Sequence, residues 1–227
     1  MTDDPVASRS NDGEKDDRPG VRFLGEVTAL LSHDIKNILA IINENAGLLK
    51  DLSMMAGGKS PVDPDRAGRI ADKIQRQVNR ADETVRRLNQ VGHCMDEAVV
   101  PLDLTDTVAT VCALAARKAG NKRVGLVVCP DAGRVTITSD PFLLRQLIWE
   151  CVDRVIRMAA GGTVEITVLP DAAGAAVVFD PAADAPGPSA RIRPGQIRPV
   201  GYDRLGAEVT IDNSGRLTIQ LPHKMDT

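Results

Sequence analysis

Aromatic side chains are scarce in this 227-residue chain: three phenylalanines, one tryptophan and one tyrosine, 2% of the whole. Recognition of bases or sugars by stacking needs several such rings on one surface, so that class of function is not expected. Charge of one sign is also missing. Lys and Arg number 28 against 31 Asp and Glu, a net charge of −3. Without a basic field, neither nucleic acid nor a membrane surface is the expected partner. No apolar run approaches the ~20 residues that span a bilayer. The first twenty residues, MTDDPVASRSNDGEKDDRPG, hold no apolar stretch that could serve as a signal peptide. A cytoplasmic protein is the expectation. The cysteines, Cys94, Cys112, Cys129 and Cys151, form no C-x-x-C pair and no metal-like spacing with His93 or His223. They read as reduced thiols, buried or partly buried.

What is present falls into two textures. Residues 1–20 are polar and rich in turn formers, a tail unable to bury enough apolar surface to order itself. From Val21 to about Ala56, apolar residues recur at Leu24, Val27, Leu31, Ile35, Ile38, Ile42, Leu49 and Leu52, the spacing of one helix face. Leu39, Ile41, Ala46 and Leu48 widen that stripe. Gly57-Gly58, Ser60-Pro61 and Asp63-Pro64 break the helix. A second one runs from near Asp65 to about Ala98, its stripe passing through Ile70, Ile74, Val78 or Gln77, Ala81, Val85, Leu88 and Met95, close to a heptad rhythm. Two long helices with a short connection make an antiparallel hairpin, and a hairpin alone leaves apolar side chains uncovered. A second copy is the economical cover, giving a dimeric four-helix bundle over residues 21–98.

After Pro101 the pattern changes. Leu104–Lys118 reads as a helix, Arg123–Cys129 and Val135–Thr138 as strands. Ser139-Asp140-Pro141 opens a helix with an N-cap candidate and a first-turn proline; it stops before Gly161-Gly162. Thr163–Leu169 and Ala175–Phe179 read as strands around a turn at Asp171–Gly174. Residues 180–201 are rich in Pro and Gly with little periodicity. Ala207–Ile211 and Arg216–Leu221 flank the hairpin signal Asp212-Asn213-Ser214-Gly215. Helices with mostly hairpin-linked strands argue for an α+β sandwich over residues 99–227.

Within the first helix stands Ser32-His33-Asp34-Ile35-Lys36-Asn37. At about 100° per residue, His33 lies roughly 180° from the middle of the apolar stripe and faces solvent. Ala29, Asn37, Ala40 and Glu44 share its side, small or polar neighbours that let a partner approach. An imidazole with an adjacent acid and a carboxamide one turn on has the parts to carry a phosphoryl group. A lone exposed histidine is also what any solvated helix face carries, so the rest of the chain decides.

The layout as a whole resembles the bacterial sensor histidine kinases: a helical hairpin with His-Asp-x-x-Asn, then an α+β domain of similar size. Ser139-Asp140-Pro141-Phe142-Leu143-Leu144-Arg145-Gln146-Leu147-Ile148 resembles the entry to the nucleotide-site helix of their ATPase domain, and Arg216-Leu217-Thr218-Ile219-Gln220-Leu221-Pro222 its closing strand. The resemblance covers residues 21–222 in order. It fails at the nucleotide site. Where those kinases place a metal-binding asparagine stands Arg154, a cation that cannot ligate Mg²⁺; with Glu150 it has the spacing of a helix ion pair. The Asp-x-Gly-x-Gly pattern is replaced by Asp180-Pro181-Ala182-Ala183-Asp184. Asp180 could still meet an adenine amino group, but both glycines are gone. The phosphate-cradling loop is absent, and Pro186, Pro188, Pro194 and Pro199 stand where a mobile lid would be.

A histidine carrier without a fuel site resembles the ChpT-type histidine phosphotransferases, dimers with a kinase-like hairpin and a degenerate ATPase-like domain that shuttle phosphate between receiver domains of a phosphorelay. That resemblance implies His33 as the nucleophile toward a receiver's phosphoaspartate. Asp34 either orients the ring or is an ordinary surface acid. Asn37 positions the phosphoryl group or a water. Lys36 meets an acidic receiver pocket or is simply solvated, and Ala29, Ala40 and Glu44 complete the docking face. No cofactor of its own, no metal site and no ATP binding are implied; Mg²⁺ comes with the receiver. The expected partners are response-regulator receivers, a hybrid histidine kinase and a second copy of the chain. Two alternatives stay open: an active or residual histidine kinase, and a non-catalytic dimeric scaffold that binds a kinase or regulator.

Overall fold

A computed structural model describes residues 19–55, 63–94, 99–129, 134–159, 161–181, 195–197 and 203–225. Helix α1 runs from Pro19 to Met55 and α2 from Pro64 to His93. They pack side by side, and the short connection makes them an antiparallel hairpin. Helix α2 starts where Asp63 caps it, its carboxylate accepting from the amides of Asp65 and Arg66 at 3.0 and 3.3 Å, with Pro64 in the first turn.

The apolar stripe of α1 is placed as its spacing requires: Val27, Leu31 and Ile38 are buried, and the buried face extends back to Phe23. Its wide edges stay uncovered, with Leu39, Ile41 and Leu48 exposed. Helix α2 differs in detail. Its inward seam is Ile70, Gln77, Thr84 and Val91, spaced seven apart, with Ile74, Ala81 and Leu88 between them. Val78 and Val85 point outward, 44% and 42% exposed. The helix also ends at His93 rather than near Ala98, and residues 95–98, with Met95, fall outside the described set.

The second half begins with a short strand not expected from sequence, β1 (Val100–Asp103), paired antiparallel with β3 (Thr136–Ser139). Between them lie α3 (Leu104–Asn121) and β2 (Val124–Val128). Helix α4 spans Pro141–Met158 and is capped as read from the sequence, Asp140 accepting from the amides of Phe142 and Leu143. Then come β4 (Gly162–Asp171), β5 (Gly174–Pro181), β6 (Gly195–Ile197), β7 (Glu208–Ile211) and β8 (Leu217–Pro222). The main sheet has the order β2-β4-β5-β8-β7-β6. Only its β2–β4 pair is parallel, the crossover running through α4; the remaining pairs are antiparallel.

Alternation places Val164, Ile166 and Val168 of β4, Ala175, Val177 and Phe179 of β5, and Leu217, Ile219 and Leu221 of β8 in the core. They share one buried cluster with Val108 and Val111 of α3 and Leu144, Leu147 and Ile148 of α4. The tight turn into β5 needs glycine: a Cβ on Gly174 would stand 2.0 Å from the Leu221 carbonyl oxygen. The result is a mixed helix-and-sheet protein, a helical hairpin joined to a two-layer α/β sandwich.

That cluster does not stop at the sandwich. Phe23, Val27, Leu31 and Val91 of the hairpin belong to it. Phe23 lies edge-on to both Phe142 and Trp149, with ring centroids 5.8 Å apart in each case.

Candidate functional site

The hairpin and the sandwich are also joined by charge. Glu26 on α1 accepts from Lys118 Nζ at 3.1 Å and from Trp149 Nε1 at 3.3 Å, and Arg22 meets it at 3.0 Å from one turn back. Burial alone would raise the Glu26 pKa; the hydrogen bonds from Arg22, Lys118 and Trp149 outweigh it, leaving the carboxyl below its ordinary value. Lys118 also meets Asp153 at 2.5 Å, which takes Arg157 at 2.7 Å. The Lys118 ammonium stands 5.4 Å from the Trp149 ring centroid. The last turn of α3 is thereby pinned against α1.

Seven residues further along α1 stands His33, exposed as its helical angle requires. Three groups meet around it. Asn37, one turn on, brings its carboxamide to 3.0 Å from Nδ1. Arg117, the residue before Lys118, sets Nη2 at 3.0 Å from Nε2 and Nη1 against Nδ1. The same Nη1 donates to Asp34 Oδ1 at 3.0 Å. The Asp34 carboxylate thus acts on the ring through Arg117. Both partners are sheltered, Arg117 31% and Asp34 26% exposed, while His33 itself is exposed. Ala29, Lys36, Ala40 and Glu44 are all exposed on α1 around it.

Arg117 is the residue that sequence reasoning misses. It lies 84 positions from His33, and its only local sign is the Arg117-Lys118 pair near a helix C-terminus, a place where cations are favoured in any case.

At the end of β5, Asp180 is engaged by Arg216: Nε and Nη2 reach its Oδ2 at 3.0 and 2.5 Å. Arg154 is exposed on α4. The prolines at 186, 188, 194 and 199 lie outside the described residues. Among the described residues no group of three or more His, Cys, Asp or Glu side chains could hold a metal ion, and no helix is long and apolar enough to cross a membrane. A groove of about 390 Å³ between α3 and the edge strand β2 is lined by Ala109, Cys112, Ala116, Val124 and Leu126.

No family model matches the sequence, and no curated protein matches it. Solved structures do. The nucleotide-free catalytic domain of histidine kinase ThkA is 13% identical, covering 57% of this chain and 100% of that one with a TM-score of 0.43. The ATP binding domain of PrrB from Mycobacterium tuberculosis is 19% identical over 56% of this chain and 98% of that one, TM-score 0.42. Histidine kinase ThkA in complex with the response regulator protein TrrA is 16% identical over 97% of this chain and 68% of that one, TM-score 0.43. Likeness this distant carries no argument about residue roles or function.

Proposed function

We propose that the chain is a histidine phosphotransferase of a phosphorelay, with His33 taking a phosphoryl group from the aspartate of one receiver domain and passing it to another. One observation carries the reading: an exposed imidazole on the hairpin has a carboxamide at one nitrogen and an anchored guanidinium at the other. A merely solvated histidine has no need of two polar partners drawn from two elements, one of them held by a carboxylate. The sequence resemblance set out above points the same way.

In this reading His33 is the nucleophile, Asn37 fixes the ring's orientation through Nδ1 and Asp34 holds Arg117. The receiver docks over Ala29, Lys36, Ala40 and Glu44 and brings its own Mg²⁺. Leu39, Ile41 and Leu48 on α1, with Val78 and Val85 on α2, are exposed, and a second copy of the hairpin is the proposed cover.

The deciding experiment mixes wild-type protein and His33→Gln with receivers already phosphorylated on aspartate, with ATP alone in parallel. Phosphate moving onto wild type only, and no label from ATP, is the expected result. Label from ATP without a receiver would establish a kinase instead. No label from either source, with partner binding intact in His33→Gln, would leave a scaffold.

A further inference from the structure

The guanidinium of Arg117 straddles the His33 ring, near both nitrogens at once. A guanidinium can only donate, and a neutral imidazole has one acceptor nitrogen. Near both, Arg117 keeps a donor beside the acceptor nitrogen in either tautomer. With Asn37 at Nδ1, Nε2 is the nitrogen left for a partner, and Arg117 stands there too. The backbone of Arg117 has little freedom to leave, because Lys118 is tied to Glu26 and Asp153 and the hairpin shares its core with α3 and α4. What can move is the side chain.

Resting on the phosphotransferase reading, we propose that Arg117 is the phosphoryl-holding residue of this site: it caps Nε2 in the free protein and closes on the phosphoryl oxygens once the group is on His33. In the transfer, the Nε2 lone pair forms the P–N bond as the P–O bond to the donor aspartate breaks. The aspartate leaves as carboxylate with that bond's electron pair, and Nδ1 keeps its proton, donated to the Asn37 carboxamide oxygen once that amide is turned over, so charge is conserved. The incoming group carries about two negative charges and three acceptor oxygens. Arg117 is a cation already within hydrogen-bond distance of the bonding nitrogen, and its planar fork matches two phosphoryl oxygens where an ammonium would offer a point charge. Asp34 keeps the fork in place while the site is empty and leaves it a short swing from the phosphoryl group when the site is filled.

Phosphoramidate, a small phosphodonor that needs no receiver, supplies the probe. The full-length wild type, Arg117→Ala, Arg117→Lys and His33→Gln are labelled, and the phosphorus-31 resonance of the phosphohistidine is followed against pH. A cation on the phosphoryl oxygens favours their doubly ionised form. The wild-type titration midpoint is therefore expected about one pH unit below that of Arg117→Ala, with Arg117→Lys between them. Phosphorylated receiver mixed with the same proteins should come to an equilibrium that carries about tenfold less phosphate on Arg117→Ala. Thermal unfolding confirms that the variants are folded, and the Lys variant keeps the comparison if the Ala variant is not. Coincident midpoints and equilibria would overturn the proposal and leave the phosphotransferase reading standing. Faster labelling of Arg117→Ala at an unchanged midpoint would also overturn it, reducing Arg117 to a cap. No His33-dependent signal in wild type, from phosphoramidate or from any receiver, would remove the phosphotransferase reading and this proposal together.

Discussion

Arg216 sets two guanidinium nitrogens on Asp180 Oδ2 across the end of the β5–β8 pair. An acid held in this way is occupied by the residue that leads into β8. Binding of Mg²⁺–ATP to the wild-type protein should be undetectable by calorimetry. Arg216→Ala frees the carboxylate but restores none of the missing glycines, and it should leave binding undetectable as well. A saturable one-to-one heat in wild type would reinstate the kinase alternative.

Acid should loosen the joint between hairpin and sandwich. Glu26 has a folded-state pKa below its ordinary 4.5, so its contribution to stability is complete above that value and is lost as pH falls through the lower folded value. Trp149, the single tryptophan, donates to this carboxylate and reports on it directly. Urea midpoints followed by its fluorescence should drop below about pH 4.5 in wild type. In Glu26→Gln they should be lower at neutral pH and should approach the wild-type values in acid. Parallel pH profiles for the two proteins would count against the assignment.

Phe23 is 2% exposed between two aromatic rings. Truncation to alanine removes a buried ring from a site walled by two elements, at a cost of about 3–5 kcal/mol. Because the core is continuous, the wild type should unfold in one transition by both circular dichroism and Trp149 fluorescence. Two separated transitions in wild type would show that hairpin and sandwich melt independently.

The cysteines should divide by burial. Cys112 is pushed up to about 12 and Cys151 is also raised, in each case chiefly by burial, which disfavours the thiolate. Both should resist a thiol reagent at pH 8 until the protein is unfolded. Cys129, partly exposed at the end of β2, should react in the native state. Rapid native labelling of Cys112 or Cys151, mapped by mass spectrometry, would contradict the packing described.

Local chemistry made much of this fold readable. The Asp140-Pro141 cap, the helix start at Asp63-Pro64 and the Asp212–Gly215 turn each depend on neighbours within a few residues, and each stands where the residues put it; Gly57-Gly58 and Ser60-Pro61 lie outside the described residues. Elements defined by distant partners were harder. Strand β1 contains Pro101 and only four residues, and it is a strand because β3 pairs with it. The seam of α2 passes through Gln77 and Thr84 while Val78 and Val85 face outward. Side-chain hydrophobicity points to the valines, but the sevenfold spacing from Ile70 to Val91 selects the polar pair. Thr84 satisfies its hydroxyl inside the helix, on the Arg80 carbonyl at 2.9 Å. At the candidate site, the exposure of His33 followed from helical angle alone. Its contact with Arg117 could not, since nothing within one element encodes a meeting across 84 residues.

The common core of hairpin and sandwich makes the second half a jig. The rings of Phe23, Phe142 and Trp149 hold α4 against α1, and the Glu26–Lys118 pair holds α3 there. The sandwich is thereby a gauge that keeps one arginine in register with one histidine.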